Sequence, residues 1–558
     1  VQRTVNLAIT ILVSLSLLLA CAPAVPTAAP TKPSAAAAAT AAPAPAVATA
    51  PVAPATKPAA AAPTAAPVAK VKRGGELKVS YIINPYSIDP HINPGNGAKF
   101  PQEQIYDMLV RSFFNESTGK LEIAPDLALS WEPSGKQITM KLRQGVKFTD
   151  GSVFNAQVAK WNLDRAINNK KSAVKQYVST IESVDVVDDY TIKLNLKTPS
   201  ASTIPMLSLA PWIGSQAAEA KLGEEAYGAN PVGSGPFRLK EWVRDMHVLM
   251  EANPNYWQNG VDGKPLPYLD SVRYRYIADQ SIAYVELRSG TVDAVRLEPK
   301  DVPAAKASPA INYWQMDWAG YQYRVLGYTH KPPFDNTTLR HALCYATDRE
   351  SLAKALAPGL GFPVPYFWSP TDIGYNDKLP KFQYDLTKSQ QLVKDAGYPN
   401  GIDITLDIFA RALDQRLAEA LQSMWNKAGF RVTIVPKEKV AAVAAAHAGE
   451  INAMFGMTGY GQIDPDQYSD FLLPGGTTNH DDLDDPDINK WMEVGRSTYE
   501  QKVRQEAYEN VQKVINEKML RCTTFVTPQN ITMQKYVKGW KTSADIERSV
   551  VKEVWLDK

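Results

Sequence analysis

The sequence predicts an α/β protein with two large lobes, and three observations carry that prediction. The chain has 558 residues, too many for one ordinary domain and enough for two substantial cores. From about residue 75 to 315, short apolar alternations and isolated helical stripes give an α+β pattern. After that point strands and helices alternate at the spacing of an α/β lobe. The change of pattern falls at residues 315–320.

The first 74 residues stand apart from this. Arg3 precedes a short apolar run that ends LLAC at Cys21. A run of this length behind a basic residue reads as a signal peptide over residues 1–21 rather than a stable spanning helix. LLAC resembles a bacterial lipobox, which would leave Cys21 as a lipid-bearing N-terminus. Several acyl chains hold a protein on a membrane where one is marginal. Residues 22–74 are mostly Ala, Pro, Thr and Val. They cannot bury a core and predict a disordered linker reaching at most on the order of 150 Å.

Order is expected from residue 75. Residues 76–83 alternate as a strand, and a Pro/Asn-rich loop follows. Ile105, Met108, Leu109 and Phe113 share one stripe and predict a helix over 100–114, with a loop at 121–130 behind it. Ile138, Met140 and Leu142 mark a strand. Asp150-Gly151 turns the chain into a helix carrying Val158, Trp161, Leu163 and Ala166. Residues 184–196 read as a hairpin. NPVGSGPFRLKEW, residues 230–242, is a Gly/Pro corner feeding another hairpin. A strand at 272–277 leads to a helix that Gly290 closes.

In the second half 321–328 is a strand and 333–356 one long helix, with Leu339, Ala342, Leu343 and Ala346 buried. Asp385 caps a helix that Gly397 ends. The succession 402–408, 413–428 and 430–435 is strand, helix, strand. A last helix at 499–518 leads to an apolar stretch at 522–526. Cys344 and Cys522 could pair in an oxidising exterior; two buried free thiols is the simpler reading.

Composition excludes some functions. With 60 basic and 58 acidic side chains the net charge is +2, which leaves no nucleic-acid footprint. The 6 His are scattered, so no metal site is expected. No hydrolase elbow surrounds Ser234, and no phosphate-loop or zinc-protease motif occurs. The acidic run 479–489 lacks EF-hand spacing and reads as an exposed loop. Asp464 and Asp466 could form a glycosidase pair only if their spacing in space allowed it.

Several blocks then resemble, in order, the extracellular solute-binding proteins of the peptide/nickel type (family 5). They are LRQGVKFTDGSVFNAQVAKWNLDRA, NPVGSGPFRLKEW, LDSVRYRYIADQSIAYVELRSGTVDAV, KPPFDNTTLRHALCYATDRESLAKAL and LQSMWNKAGFRVTI. The resemblance implies a two-lobed type II periplasmic-binding fold. Lobe one would hold 75–318 with an inserted subdomain, lobe two 319–527, and the tail 528–558 would return to lobe one.

It also implies a non-enzymatic, monomeric, extracytoplasmic lipoprotein without cofactor or metal. The protein would close around a solute and deliver it to an ABC permease and its ATPase. For peptide-binding relatives the resemblance implies an Asp ahead of the Asp-Pro-Asp segment; Gly461 stands there. Peptide and oligosaccharide solutes therefore both stay open, with nickel and haem behind them. Trp212, Tyr321, Tyr323, Trp368, Tyr460, Gln462 and Asp464 are the candidate ligand contacts. A surface lipoprotein hydrolase is the alternative from another class, and a sensor or adhesin without transport is a third.

Overall fold

The computed structural model describes residues 71–92, 96–476, 478–541 and 548–558. Cys21, the apolar leader and the linker up to residue 70 lie outside the described residues. The last linker residues are tied to the fold: Arg73 pairs with Asp262 at 2.7 Å, and the Gly74 amide donates to the Tyr268 carbonyl. Among the described residues no helix is long and apolar enough to cross a membrane.

A single path of strands runs through the molecule. It begins with the hairpin Phe237–Val243 and His247–Ala252, then passes through Ser271–Tyr276, Glu76–Tyr81 and Ala294–Val295. It continues through two long central strands, Cys522–Gln534 and Ile311–Gly327. It ends with Ala453–Tyr460, Ile402–Phe409 and Phe430–Lys437. The central pair is antiparallel, and its register slips between Met316 and Gly320. Residues 317–319 are thereby pushed out of the ladder, as a bulge does.

Two cores lie on either side of that slip. One gathers Leu77, Phe100, Met140, Phe154, Phe237 and Met316. The other gathers Tyr323, Leu343, Leu406, Trp425, Phe455 and Phe525. The mixed α/β molecule is therefore two-lobed, with the long strands passing from one lobe to the other. A separate four-stranded antiparallel sheet, Ala128–Ser134, Gln137–Leu142, Thr191–Leu196 and Ile181–Asp188, belongs to lobe one. Its inward residues Ile138, Met140, Ile192 and Leu194 join the lobe-one core. Asn155 caps the helix Ala156–Asn168 beside it.

Several expectations need correction. The helix expected over 100–114 ends early, as Asn96–Ile105, and Val110–Asn115 is a strand paired with Lys120–Pro125. The expected loop at 121–130 is that partner strand and the start of the next. The run 105–113 satisfies a 3.6-residue stripe locally, and cross-strand hydrogen bonding overrides it. The single helix expected over 333–356 is two, Thr337–Tyr345 and Arg349–Leu356. Asp348 breaks it by capping the second, accepting from the Ser351 amide at 3.0 Å.

Cys344 and Cys522 are buried as expected, but they are not free thiols. They form a disulfide, with Cα atoms 5.6 Å apart. The helix Thr337–Tyr345 packs on the strand that Cys522 opens, which brings the two Cβ atoms within bonding reach. The acidic run at 479–489 is only partly exposed. Asp481 is fully buried and accepts from both terminal nitrogens of Arg521, at 2.7 and 3.0 Å.

Candidate functional site

The strand slip creates the site. Trp318 leaves the ladder and stacks on Phe114 of lobe one, while its carbonyl faces the loop after the strand Ala453–Tyr460. At Gly461 in that loop φ is +75°, and a Cβ would sit 1.7 Å from the Trp318 oxygen. Only glycine fits there. The position that would carry an acid in the peptide-binding pattern therefore cannot carry any side chain.

Beside this contact lies a cavity of about 240 Å³ lined by both lobes. Lys99, Tyr177, Leu209 and Arg548 come from lobe one, and Tyr321, Tyr460, Gln462 and Gln467 from lobe two. Gln529 joins them from the long returning strand. A larger cavity, about 990 Å³, lies beside Phe114, Tyr313, Trp314 and Trp540. All of its lining segments lie on the lobe-one side of the crossover. Closing one lobe on the other could not enclose a solute there, so the smaller cavity is the candidate site.

Three of the candidate contacts, Tyr321, Tyr460 and Gln462, line the cavity between the lobes. The other four do not. Trp212 is buried in lobe one, donating its Nε1 to Glu103 at 3.2 Å. Tyr323 is stacked between Phe525 and Phe455, at 4.7 and 5.7 Å. Trp368 is packed flat on Tyr468 at 4.6 Å. Asp464 is fully buried and accepts from Arg504 at 2.6 Å. Each is an aromatic or acid of a kind able to grip a solute, and each is buried in the protein interior instead. Lys99, Tyr177, Gln467, Gln529 and Arg548 were missed by sequence reasoning. They come from distant segments, and no local pattern marks them.

The loop from Gly461 onward is held rigidly. Asp372 accepts from the Gln462 amide at 2.9 Å, the Ser369 amide at 2.8 Å and the Tyr468 hydroxyl at 2.8 Å. Burial pushes its carboxyl up to about 7. Asp464 and Gln467 form a capping box at the turn Pro465–Tyr468. Asp466 accepts from Arg496 at 2.7 Å and, across the lobe boundary, from the Ser202 hydroxyl at 2.6 Å. Next to it the Ala201 amide donates to the Arg496 carbonyl at 2.9 Å. The lobes thus touch at one edge of the site through the loop that floors it.

The acids and the serine weighed as catalytic groups are engaged within the fold. Asp464 and Asp466 face separate arginines, unlike a glycosidase pair around a scissile bond. Ser234 is buried and donates to Asp107 at 2.9 Å. At its neighbour Gly233 a Cβ would fall 2.0 Å from the Ile105 carbonyl oxygen. The Gly/Pro corner is a close backbone packing point. Among the described residues no group of three or more His, Cys, Asp or Glu could hold a metal ion.

The profile of the bacterial extracellular solute-binding proteins, family 5 (middle region), matches residues 122–480. The chain belongs to this family. The chain is similar to the glutathione-binding protein of Pectobacterium atrosepticum, 33% identical over 352 residues, 60% of this chain and 65% of that protein. The chain thus spans just under two thirds of that relative's length. The heme-binding protein A of Haemophilus influenzae is 30% identical over 419 residues, 69% of this chain and 74% of that protein. Among solved structures, the ABC transporter-associated periplasmic binding protein DppA from Helicobacter pylori, in complex with peptide STSA, superposes with a TM-score of 0.72. It is 25% identical, and the match covers 87% of this chain and 99% of that one.

Proposed function

We propose that this chain is the extracytoplasmic receptor of an ABC importer, closing its lobes on a peptide-like solute and presenting it to the permease. The observation that carries the reading is the cavity at the strand slip, lined by side chains of both lobes. A solute there gains contacts that only the closed arrangement offers, so it favours closure by its differential affinity. No bond is made or broken.

Similar proteins named for glutathione and for a bound peptide support a peptide-like solute. The site supports it over an oligosaccharide. Both candidate tryptophans are buried elsewhere, which leaves tyrosines, glutamines and two cations to line the cavity. The Ala/Pro linker and LLAC support a lipid anchor at Cys21 outside the cytoplasm. The disulfide fits that compartment.

The test is intrinsic fluorescence titration and mass spectrometry of the full chain with short peptides and, in parallel, with oligosaccharides. Saturable binding with the solute recovered intact is expected. Conversion of a solute to product would overturn the reading. Expressed in a bacterium, the chain should take up radiolabelled fatty acid and the Cys21→Ser chain should not. Equal labelling of both would remove the anchor.

A further inference from the structure

The disulfide between Cys344 and Cys522 sits against a buried cation. Arg349, the first residue of its helix, turns its guanidinium onto the bond. Its Nη2 donates to the Cys344 sulfur at 2.8 Å and lies 3.7 Å from the Cys522 sulfur. Its Nε donates to the Thr523 carbonyl at 2.8 Å and its Nη1 to the Phe382 carbonyl. Among the described residues the guanidinium therefore meets neutral acceptors only. Arg349 and both cysteines are buried. A buried charge with neutral partners is costly, and burial pulls the guanidinium pKa down to about 10.

A disulfide sulfur is a weak acceptor, whereas a thiolate is an anion and a strong one. Reduction would give Arg349 a charged partner. Cys344 is the nearer sulfur and gains more from it. The other charged and titratable groups around Cys344 do not compete for this role. Tyr366 and Arg521 share with Cys344 and Arg349 a cavity of about 10 Å³, room for roughly one water. Asp481 neutralises Arg521. Arg340, on the helix of Cys344, donates to the Phe334 and Lys518 carbonyls. His341 on that helix stacks on Phe382, and burial lowers its pKa, so it stays neutral at pH 7 and above. Lys388, on the helix packed against it, lies over the Tyr345 ring.

We infer that Cys344 and Cys522 form a reversible redox pair in which Cys344 is the sulfur released as a thiolate onto Arg349. A dithiol reductant supplies the electrons. One of its sulfurs attacks the Cys522 sulfur, the bond between the cysteines breaks, and the electron pair stays on the Cys344 sulfur. The second thiol of the reductant then displaces Cys522 and closes the reductant's own disulfide. Cys522 takes one of the two protons. The other goes to solvent, because Cys344 stays ionised. A disulfide oxidant reverses each step. The inference stands apart from the receptor reading.

The test uses the Cys21→Ser chain, so that only these two cysteines titrate. The chain is equilibrated with a fixed ratio of reduced to oxidised dithiothreitol. The reduced fraction is read by mass spectrometry after acid quenching. Reading an equilibrium makes the narrow access to the bond irrelevant. Because reduction releases a proton, the ratio of reduced to oxidised chain should rise at least about fivefold from pH 7 to pH 8. Two thiols with the ordinary pKa near 8.5 would give less than about twofold. With a monothiol in place of the dithiol, the trapped mixed disulfide should map to Cys522.

Arg349→Met should flatten the pH profile, and Arg349→Lys should restore part of it. If Arg349→Met does not fold, the profile and the adduct position in the Cys21→Ser chain decide alone. A flat profile in that chain, including one caused by unfolding on reduction, would overturn the inference. So would an adduct on Cys344, or a steep profile kept by a folded Arg349→Met chain.

Discussion

Gly461 and Asp372 are the residues on which the site turns. An L side chain at Gly461 would have to adopt positive φ and displace the Trp318 carbonyl. Gly461→Asp, designed to supply an acid for a peptide ammonium, should instead disrupt the loop. The expected outcome is loss of solute binding with a lower melting temperature, read by thermal shift; a stable variant with tighter peptide binding would contradict it. Asp372 predicts a pH dependence. Its folded pKa of about 7 lies above the ordinary carboxyl value of 3.8. Between about pH 4 and pH 7 the folded state keeps a proton that the unfolded chain releases, so stability contributed here falls as pH rises. The urea midpoint should be higher at pH 5 than at pH 8, and Asp372→Asn should shrink the difference. An undiminished difference in that variant would assign the effect to other groups.

At the scale of elements, legibility followed locality. The hairpins at 184–196 and 237–252 could be read because alternation and turn residues are adjacent in sequence. The helix begun by Asp385 and the helix end at Gly290 could be read because caps are local too. The strand Val110–Asn115 and the break at Asp348 could not. A 3.6-residue apolar stripe cannot report the partner strand or the capping bond that overrides it. The disulfide was illegible because it links residues 178 positions apart. A crosslink spanning that much chain restricts the unfolded state, typically for about 2–4 kcal/mol. Dithiothreitol should therefore lower the unfolding free energy by that order, measured by urea denaturation; no change would mean that the bond adds nothing. The Ser202–Asp466 contact joins the lobes through one charge-assisted hydrogen bond, worth about 1.5–3 kcal/mol. Ser202→Ala should weaken solute affinity by about tenfold or more while leaving the melting temperature nearly unchanged. Unaltered affinity would show that closure does not use this bond.

For the whole molecule, the change of pattern expected at residues 315–320 lies in the same stretch as the slip of two long strands. Family membership and fold were legible because the blocks that resemble the family are each contiguous in sequence. Of the residues expected to touch a solute, Tyr321, Tyr460 and Gln462 line the candidate cavity, all on its lobe-two side. Its other wall, Lys99, Tyr177 and Arg548, is assembled from separate segments that no local pattern links. This division predicts motion. Ligand should bring the lobes together about the crossover strands, with little change inside either core. Val187 of lobe one and Val440 of lobe two are exposed, at 55% and 83%, and suit spin labels in a Cys21→Ser chain. The direct measurement is the distance distribution between labels at Val187→Cys and Val440→Cys, with and without a saturating short peptide found to bind in the fluorescence titration. A shorter and narrower distribution on adding the peptide is the predicted result. Peptide that binds and leaves the distribution unchanged would contradict closure of two lobes around a solute.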